Sequence, residues 1–297
     1  DAPGMSRAGA SSMPPAPVPP APVPPARARP HLVATDLDGT LLRPDGTVSD
    51  RTKRAVMGLS AAGIGFVIVT ARPPRWLHAL ADLVGPHGAA VCANGAFVYD
   101  VPARTVREVH GIPDDLVTDL VGELRAAVPG VRFGAERASG ALLEPGYPGT
   151  DLDRRAEAIH VAPMQERGSE PVGKLLAVAP HWEEADFLAR VEAVVGERAH
   201  LAYSGAHGLA EITGPGVTKA AGLARWAGAR GIGSADVWAF GDMPNDLPML
   251  RWAGRSYAVS NAHPDVLAAA SHRCPANSED GVAWALEALV GRREPTP

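Results

Sequence analysis

The sequence predicts an α/β protein: a parallel sheet covered by helices, interrupted by a second domain of mixed strands and helices. Three observations point there. From residue 31, short apolar runs alternate with amphipathic stretches; the same rhythm resumes at Val217 after a weaker middle; and polar residues gather where the apolar runs end.

Taken in order, "HLVAT" (31–35) is the first strand, and Ser49 caps a helix through about Ala62 that Gly63 stops. "GFVIVT" (65–70) is a second buried strand. Pro73 and Pro74 open a helix that "RWLHALADLV" carries to Gly85. "AAVCA" and "AFVYD" flank Asn94-Gly95, a hairpin signal. Beyond residue 101 come "TVREVHG", a helix from Pro113 to about Val128, "VRFGAE", "GALLEP" and a polar stretch over 146–171. They are followed by the strand "GKLLAVAP", the helix "HWEEADFLARVEAVVG" and a closing strand pair, "HLAYSG" with "LAEITG". The strong pattern then returns as a helix from Val217 to about Arg230, the strand "DVWAFG", a helix near 245–252, the short strand "YAVS" and a last helix from about Glu279 to Val290. The reading therefore places the core at 31–101 and 206–292, with 102–205 inserted into it. Residues 1–30 carry "PPAPVPPAPVPPARARP", where proline removes donors and fixes φ, so a disordered tail is expected.

Charge narrows the function classes. Twenty-eight Lys and Arg against 33 Asp and Glu leave a net −5 with no long run of either sign, so neither a nucleic acid nor an anionic membrane surface is the expected partner. No apolar stretch of roughly 18 residues appears, nor a charged-then-apolar leader. Cys92 and Cys274 are the two cysteines and form no C-x-x-C motif, which fits a reducing cytoplasm. A small molecule is the expected partner, with no obligate protein partner evident.

The chemistry sits at strand ends, where loops of an open parallel sheet converge. Asp36 and Asp38 follow the first strand, Thr70 follows the second, Lys219 opens the re-entry helix, and "GDMPND" (241–246) follows "DVWAF". Asp36, Asp38, Asp242 and Asp246 drawn together would repel one another unless a hard divalent cation lay among them, and an all-oxygen donor set suits Mg²⁺. Mg²⁺ and Lys219 would offer positive charge to a phosphoryl group, and the Thr70 hydroxyl would hold its oxygens, with Gly39 and Gly241 allowing close backbone approach. One carboxylate can attack phosphorus while the other protonates the leaving oxygen and then deprotonates water. "GPGVTK" lacks the spacing of a P-loop, and the ten histidines show no metal-ligand spacing. Glu211, in "LAEIT", reads as a strand carboxylate paired locally near a domain junction.

In that order, "DLDGTLL", "VIVTAR", "GVTKAAGL" and "GDMPNDLPML" resemble the four motifs of the haloacid dehalogenase superfamily. With "ANGAFVYD", "LAEITGPGVTK", "YAVSNAHPDV" and "EDGVAWAL", residues 31–290 resemble its Cof-type phosphatases with a subclass IIB cap. The resemblance implies a Rossmann-like three-layer αβα core with an α+β cap, and a Mg²⁺-dependent hydrolysis of small phosphorylated metabolites, sugar phosphates first, with pyridoxal phosphate and nucleotides behind. Asp36 would be the nucleophile and a metal ligand. Asp38 would be the general acid/base, its main-chain carbonyl also on the metal. Thr70, Lys219 and Asn245 would contact phosphate, Asp242 would ligate Mg²⁺, and Asp246 would do so directly or through water. The phosphate loop reads Thr70-Ala71-Arg72 where the family often has T-G-R; Ala71 is tolerable if its φ is negative, and Arg72 would touch substrate or cap. A phosphomutase, or a non-catalytic binding protein on the same fold, are the alternatives.

Overall fold

A computed structural model describes residues 29–85, 88–148 and 159–290. The expected tail, but for Arg29 and Pro30, and residues 149–158 of the polar stretch lie outside them.

Two sheets carry the fold. Strands β1 (Leu32–Thr35), β2 (Gly65–Val69), β3 (Ala89–Cys92), β4 (Phe97–Asp100), β5 (Thr105–Val109), β12 (Val237–Gly241), β13 (Arg255–Val259) and β14 (His272–Cys274) make the larger, in the order β14-β13-β12-β1-β2-β3-β4-β5. The six strands from β14 to β3 are parallel; β4 runs antiparallel to β3, and β5 antiparallel to β4. Chain order reverses at β1, between β12 and β2, which opens a crevice at the carboxyl ends of these strands. Helices α1 (Asp50–Ala61), α2 (Ala81–Val84) and α8 (Gly281–Val290) form one contiguous group. Helices α5 (Lys219–Gly228), α6 (Leu247–Trp252) and α7 (Pro264–Ala269) form another. Of the strands between them, β1, β3 and β12 are buried throughout and almost wholly apolar, as strands covered on both faces must be.

The second sheet joins β6 (Arg132–Arg137), β7 (Gly140–Leu143), β8 (Ile159–Val161), β9 (Lys174–Val178), β10 (His200–Ala202) and β11 (Leu209–Thr213) in the order β10-β11-β9-β6-β7-β8. Helices α3 (Asp114–Ala127) and α4 (Glu184–Val195) pack together, and this domain has its own apolar core, with Phe133, Val117, Leu120 and Phe187 at its centre. The α+β insertion in an αβα core is the predicted architecture.

Several elements differ from the sequence reading. By sheet membership β5 belongs to the core and β11 to the inserted domain, because β5 completes a hairpin with β4 while β11 pairs with β9 and β10; the strand just after each expected boundary, 101/102 and 205/206, thus belongs to the domain before it. The expected helix after Pro73 is two 3₁₀ turns, Pro74–Trp76 and His78–Leu80, ahead of the short α2. Its buried residues Pro74, Leu77, Leu80 and Leu83 recur every third position, the period of a 3₁₀ turn. Helix α7 and strand β14 were not anticipated, being only six and three residues long. The last helix starts at Gly281 because Asp280 takes the left-handed conformation, φ 60°.

Candidate active site

The site forms at the carboxyl ends of β1, β2 and β12 and the N-terminus of α5. Asp36 leaves β1 extended, its amide donating to the Phe240 carbonyl at 3.0 Å, which ties the β1 exit to β12. Lys219 is the first residue of α5, whose N-terminus is capped by the Thr218 hydroxyl accepting from the Ala221 amide at 3.1 Å. Its ammonium lies 2.9 Å from Asp36 Oδ1 and 2.7 Å from Asp246 Oδ1, with all three side chains buried. Asp246 Oδ2 accepts from the amides of Asp242 (3.0 Å) and Met243 (3.1 Å), so the "GDMPND" turn folds around its own last carboxylate.

Asp36, Asp242 and Asp246 each offer an oxygen, and these lie within 4.8 Å of one another. Burial raises the Asp36 carboxyl well above its ordinary value, outweighing the attraction of Lys219. Burial, then the neighbouring Asp246, pushes Asp242 up to about 6. Lys219 is held above the usual lysine range by Asp246 and Asp36, against the burial that opposes its charge. Three carboxylates face one ammonium, an imbalance that a divalent cation bound by oxygen donors would offset. Thr40 donates to Asp242 Oδ1 at 2.7 Å and fixes that carboxylate. Gly39 (φ 76°) has room for no Cβ, which would lie 2.9 Å from Asp242 Cγ; at Gly241 it would lie 2.6 Å from Asp246 Cβ.

Asp38 stands apart from this cluster. Its side chain is 59% exposed and held by the Arg72 guanidinium in a two-point fork, Nε to Oδ2 at 2.8 Å and an Nη to Oδ1 at 2.6 Å. Thr70 is buried, its hydroxyl accepting from the Arg72 amide at 3.1 Å, and Ala71 is not among the four described non-glycine residues with positive φ. Asn245 donates to Asn94 Oδ1 at 3.3 Å. The flap 37–49 is pinned by Asn261 donating to the Gly39 carbonyl (2.8 Å) and Asn277 to the Leu42 carbonyl (2.8 Å), the contacts made by "YAVSNAHPDV" and the residues just before "EDGVAWAL".

A cavity of about 420 Å³ opens above these groups, between the two domains. Asp36, Asp38, Thr70, Ala71, Arg72, Lys219 and Asn245 line its core side; Glu136, Lys174, Leu176, Ser204 and Glu211 line the other. Arg75 forks onto Glu136 across the domain junction (2.7 and 3.3 Å), both side chains largely buried. Glu211 does pair locally, with Lys174 at 2.6 Å, and it is also a wall of the cavity. Burial works to raise its carboxyl, but Lys174 and Ser204 bring it below the ordinary value. The sequence reading missed Asn94, Glu136 and Lys174. A lysine opening the otherwise apolar "KLLAV" strand was the available signal for the last.

An αβα core with an inserted α+β cap, and carboxylates around a lysine at the switch point, define a class of phosphoryl-group hydrolases. Residues 33–286 match the family model of haloacid dehalogenase-like hydrolases, and the chain belongs to that family. It is similar to the 5-amino-6-(5-phospho-D-ribitylamino)uracil phosphatase YitU of Bacillus subtilis, at 29% identity over 87% of this chain and 97% of that one. It is also similar to the pyridoxal phosphate phosphatase YbhA of Escherichia coli, at 27% identity over 85% and 96%. A solved subclass IIB sugar phosphatase superimposes with a TM-score of 0.73 at 22% identity, over 87% of this chain and 98% of that one. The protein is thus an enzyme of the phosphatase branch of the superfamily, a phosphoric monoester hydrolase. Among the described residues no helix is long and apolar enough to cross a membrane.

Proposed function

We propose that the protein hydrolyses small phosphate monoesters, sugar phosphates foremost, through a phosphoryl group carried on Asp36. The observation that carries this reading is the buried Lys219 ammonium bridging Asp36 and Asp246 at the floor of a cavity that Thr70 and Asn245 also line. Asp36, Asp242 and Asp246 would hold Mg²⁺, together with the Asp38 main-chain carbonyl that the family resemblance implies. Bound there, Mg²⁺ would supply positive charge to the phosphoryl oxygens.

Asp36 attacks phosphorus as the ester oxygen departs, and protonated Asp38 delivers its proton to that oxygen. Asp38, now a carboxylate, takes a proton from water; the water oxygen attacks phosphorus and the bond to Asp36 breaks, returning both groups to their starting states. Lys219 neutralises Asp36 between turnovers, and the Thr70 hydroxyl and Asn245 amide orient the phosphoryl oxygens. For Asp38 to serve as acid it must leave the Arg72 fork, an exposed ion pair and therefore a weak one. The inserted domain forms the far wall of the cavity, and its closure over the site would exclude bulk water. The chemistry suits the cytoplasm, where the unpaired Cys92 and Cys274 stay reduced.

A panel of sugar phosphates, pyridoxal phosphate and nucleotides, assayed for phosphate release with Mg²⁺, tests the reading, with Asp36→Asn as control. Release above the control is expected on at least one ester, highest on a sugar phosphate; none on any of them would overturn it.

A further inference from the structure

Two cap side chains reach the rim of the site without entering any step above. Lys174 opens β9 and Glu211 lies within β11; they sit diagonally across the β9–β11 ladder, where Lys174 is opposite Thr213 and Leu176 opposite Glu211, and so share one face of the cap sheet. That face is turned to the cavity, since Lys174, Leu176 and Glu211 all line it. Both charged side chains are nearly inaccessible, at 5% and 3% exposure.

On the strength of the phosphatase reading, we infer that Lys174 and Glu211 are positioning residues that align the phosphate-holding loops of the core when the cap is seated. Lys174 Nζ donates to Glu211 Oε1 at 2.6 Å and, across the domain junction, to the Ala71 carbonyl at 2.7 Å. That carbonyl belongs to the same peptide group as the Arg72 amide, which donates to the Thr70 hydroxyl at 3.1 Å. One rigid peptide plane therefore has its oxygen held by the cap and its N–H on the hydroxyl that meets phosphate. The next side chain along, Arg72, holds Asp38. On the other side, Asn94 donates to Glu211 at 3.5 Å and accepts from Asn245 at 3.3 Å, which carries the connection into the "GDMPND" turn beside Asp246. Cap seating thus bears on Thr70, Asp38 and Asn245 through hydrogen bonds to two charged groups that have little access to water. With the cap displaced, the Ala71 carbonyl loses the Lys174 ammonium, and only the N–H side of the peptide stays tied to a side chain, the Thr70 hydroxyl.

The test compares wild type, Lys174→Met, Lys174→Arg and Glu211→Gln, each corrected for folded fraction by thermal denaturation. Lys174→Met is expected to lower kcat about 10- to 100-fold, the range for a misaligned catalytic group, with a smaller change in KM. The factor should be the same for p-nitrophenyl phosphate and for the best ester of the panel, because the loops serve the phosphate common to both. Lys174→Arg, which retains a donor, should recover part of the loss, and Glu211→Gln should lose less than Lys174→Met. Hydrogen–deuterium exchange supplies a readout independent of turnover: the 70–72 amides should exchange faster in Lys174→Met. Unchanged kcat and exchange would overturn the inference, as would a loss confined to the larger ester, which marks a substrate contact, or one that disappears on correction for folded protein. A wild type inactive on every ester, with faster exchange in Lys174→Met, would instead overturn the phosphatase reading and leave the loop coupling standing.

Discussion

Arg72 holds Asp38 in a two-point fork, at 2.8 and 2.6 Å, at the mouth of the cavity. The pair is partly in water, Asp38 far more than Arg72, so it contributes little to folding, within about 1 kcal/mol. Its effect lies in aiming the carboxylate form of Asp38, the form that takes a proton from water in the proposed mechanism. Arg72→Met is expected to leave the unfolding free energy almost unchanged while lowering kcat by up to about 100-fold. Chemical denaturation run beside a phosphate-release assay checks both halves; a stability loss with full activity would count against this role.

Gly39 carries a second expectation. Its φ of 76° costs an L-residue about 1–2 kcal/mol, and a Cβ there would collide with the Asp242 carboxylate. Gly46, at φ 79° with open space around it, would meet the strain without the collision. Gly39→Ala should therefore lose both stability and the Mg²⁺-induced rise in Tm, whereas Gly46→Ala should lose stability alone. Thermal melts with and without Mg²⁺ distinguish them.

Removing Lys219 leaves Asp36 and Asp246 buried without their counter-charge. Lys219→Met should abolish phosphate release and, without added metal, destabilise the fold by about 3–5 kcal/mol near neutral pH. The loss should shrink on acidification, because a carboxyl whose folded value is raised, as Asp242 is to about 6, favours the folded state once protonated. Denaturation midpoints at pH 8 and pH 5 measure this, and Mg²⁺ at pH 8 should restore part of the difference.

Asp280 works in the opposite direction. Its bonds to Arg43, at 2.9 and 2.8 Å, are the main reason its carboxyl is held below the ordinary value. A carboxyl lowered by folding stabilises the native state above its unfolded value, about 3.9, and that contribution fades as pH falls through the folded one. Asp280→Asn, which tolerates the left-handed backbone, should be less stable at pH 7 and show a flatter loss of stability below about pH 4. Coincident profiles for the two proteins would reject this.

Much of the architecture was legible because it is written in short-range pattern. Buried strands such as "LVAT" and "VWAFG" are near-continuous apolar runs, Ser49 is a helix cap beside its helix, and a parallel sheet exposes its strand ends in one crevice. Those local rules place Asp36, Thr70, Lys219 and Asp242 at converging ends without any distance being known. They could not show that Asp38 turns into the Arg72 fork, that β11 joins the cap sheet, or that Lys174 reaches the Ala71 carbonyl 103 residues away. Periodicity reports which face of an element is buried, not which distant atom meets it. Glu211 carries that distinction in one residue. As a carboxylate in a strand it could satisfy itself with any nearby cation, and only the packing of cap on core turns its pairing with Lys174 into a wall of the cavity.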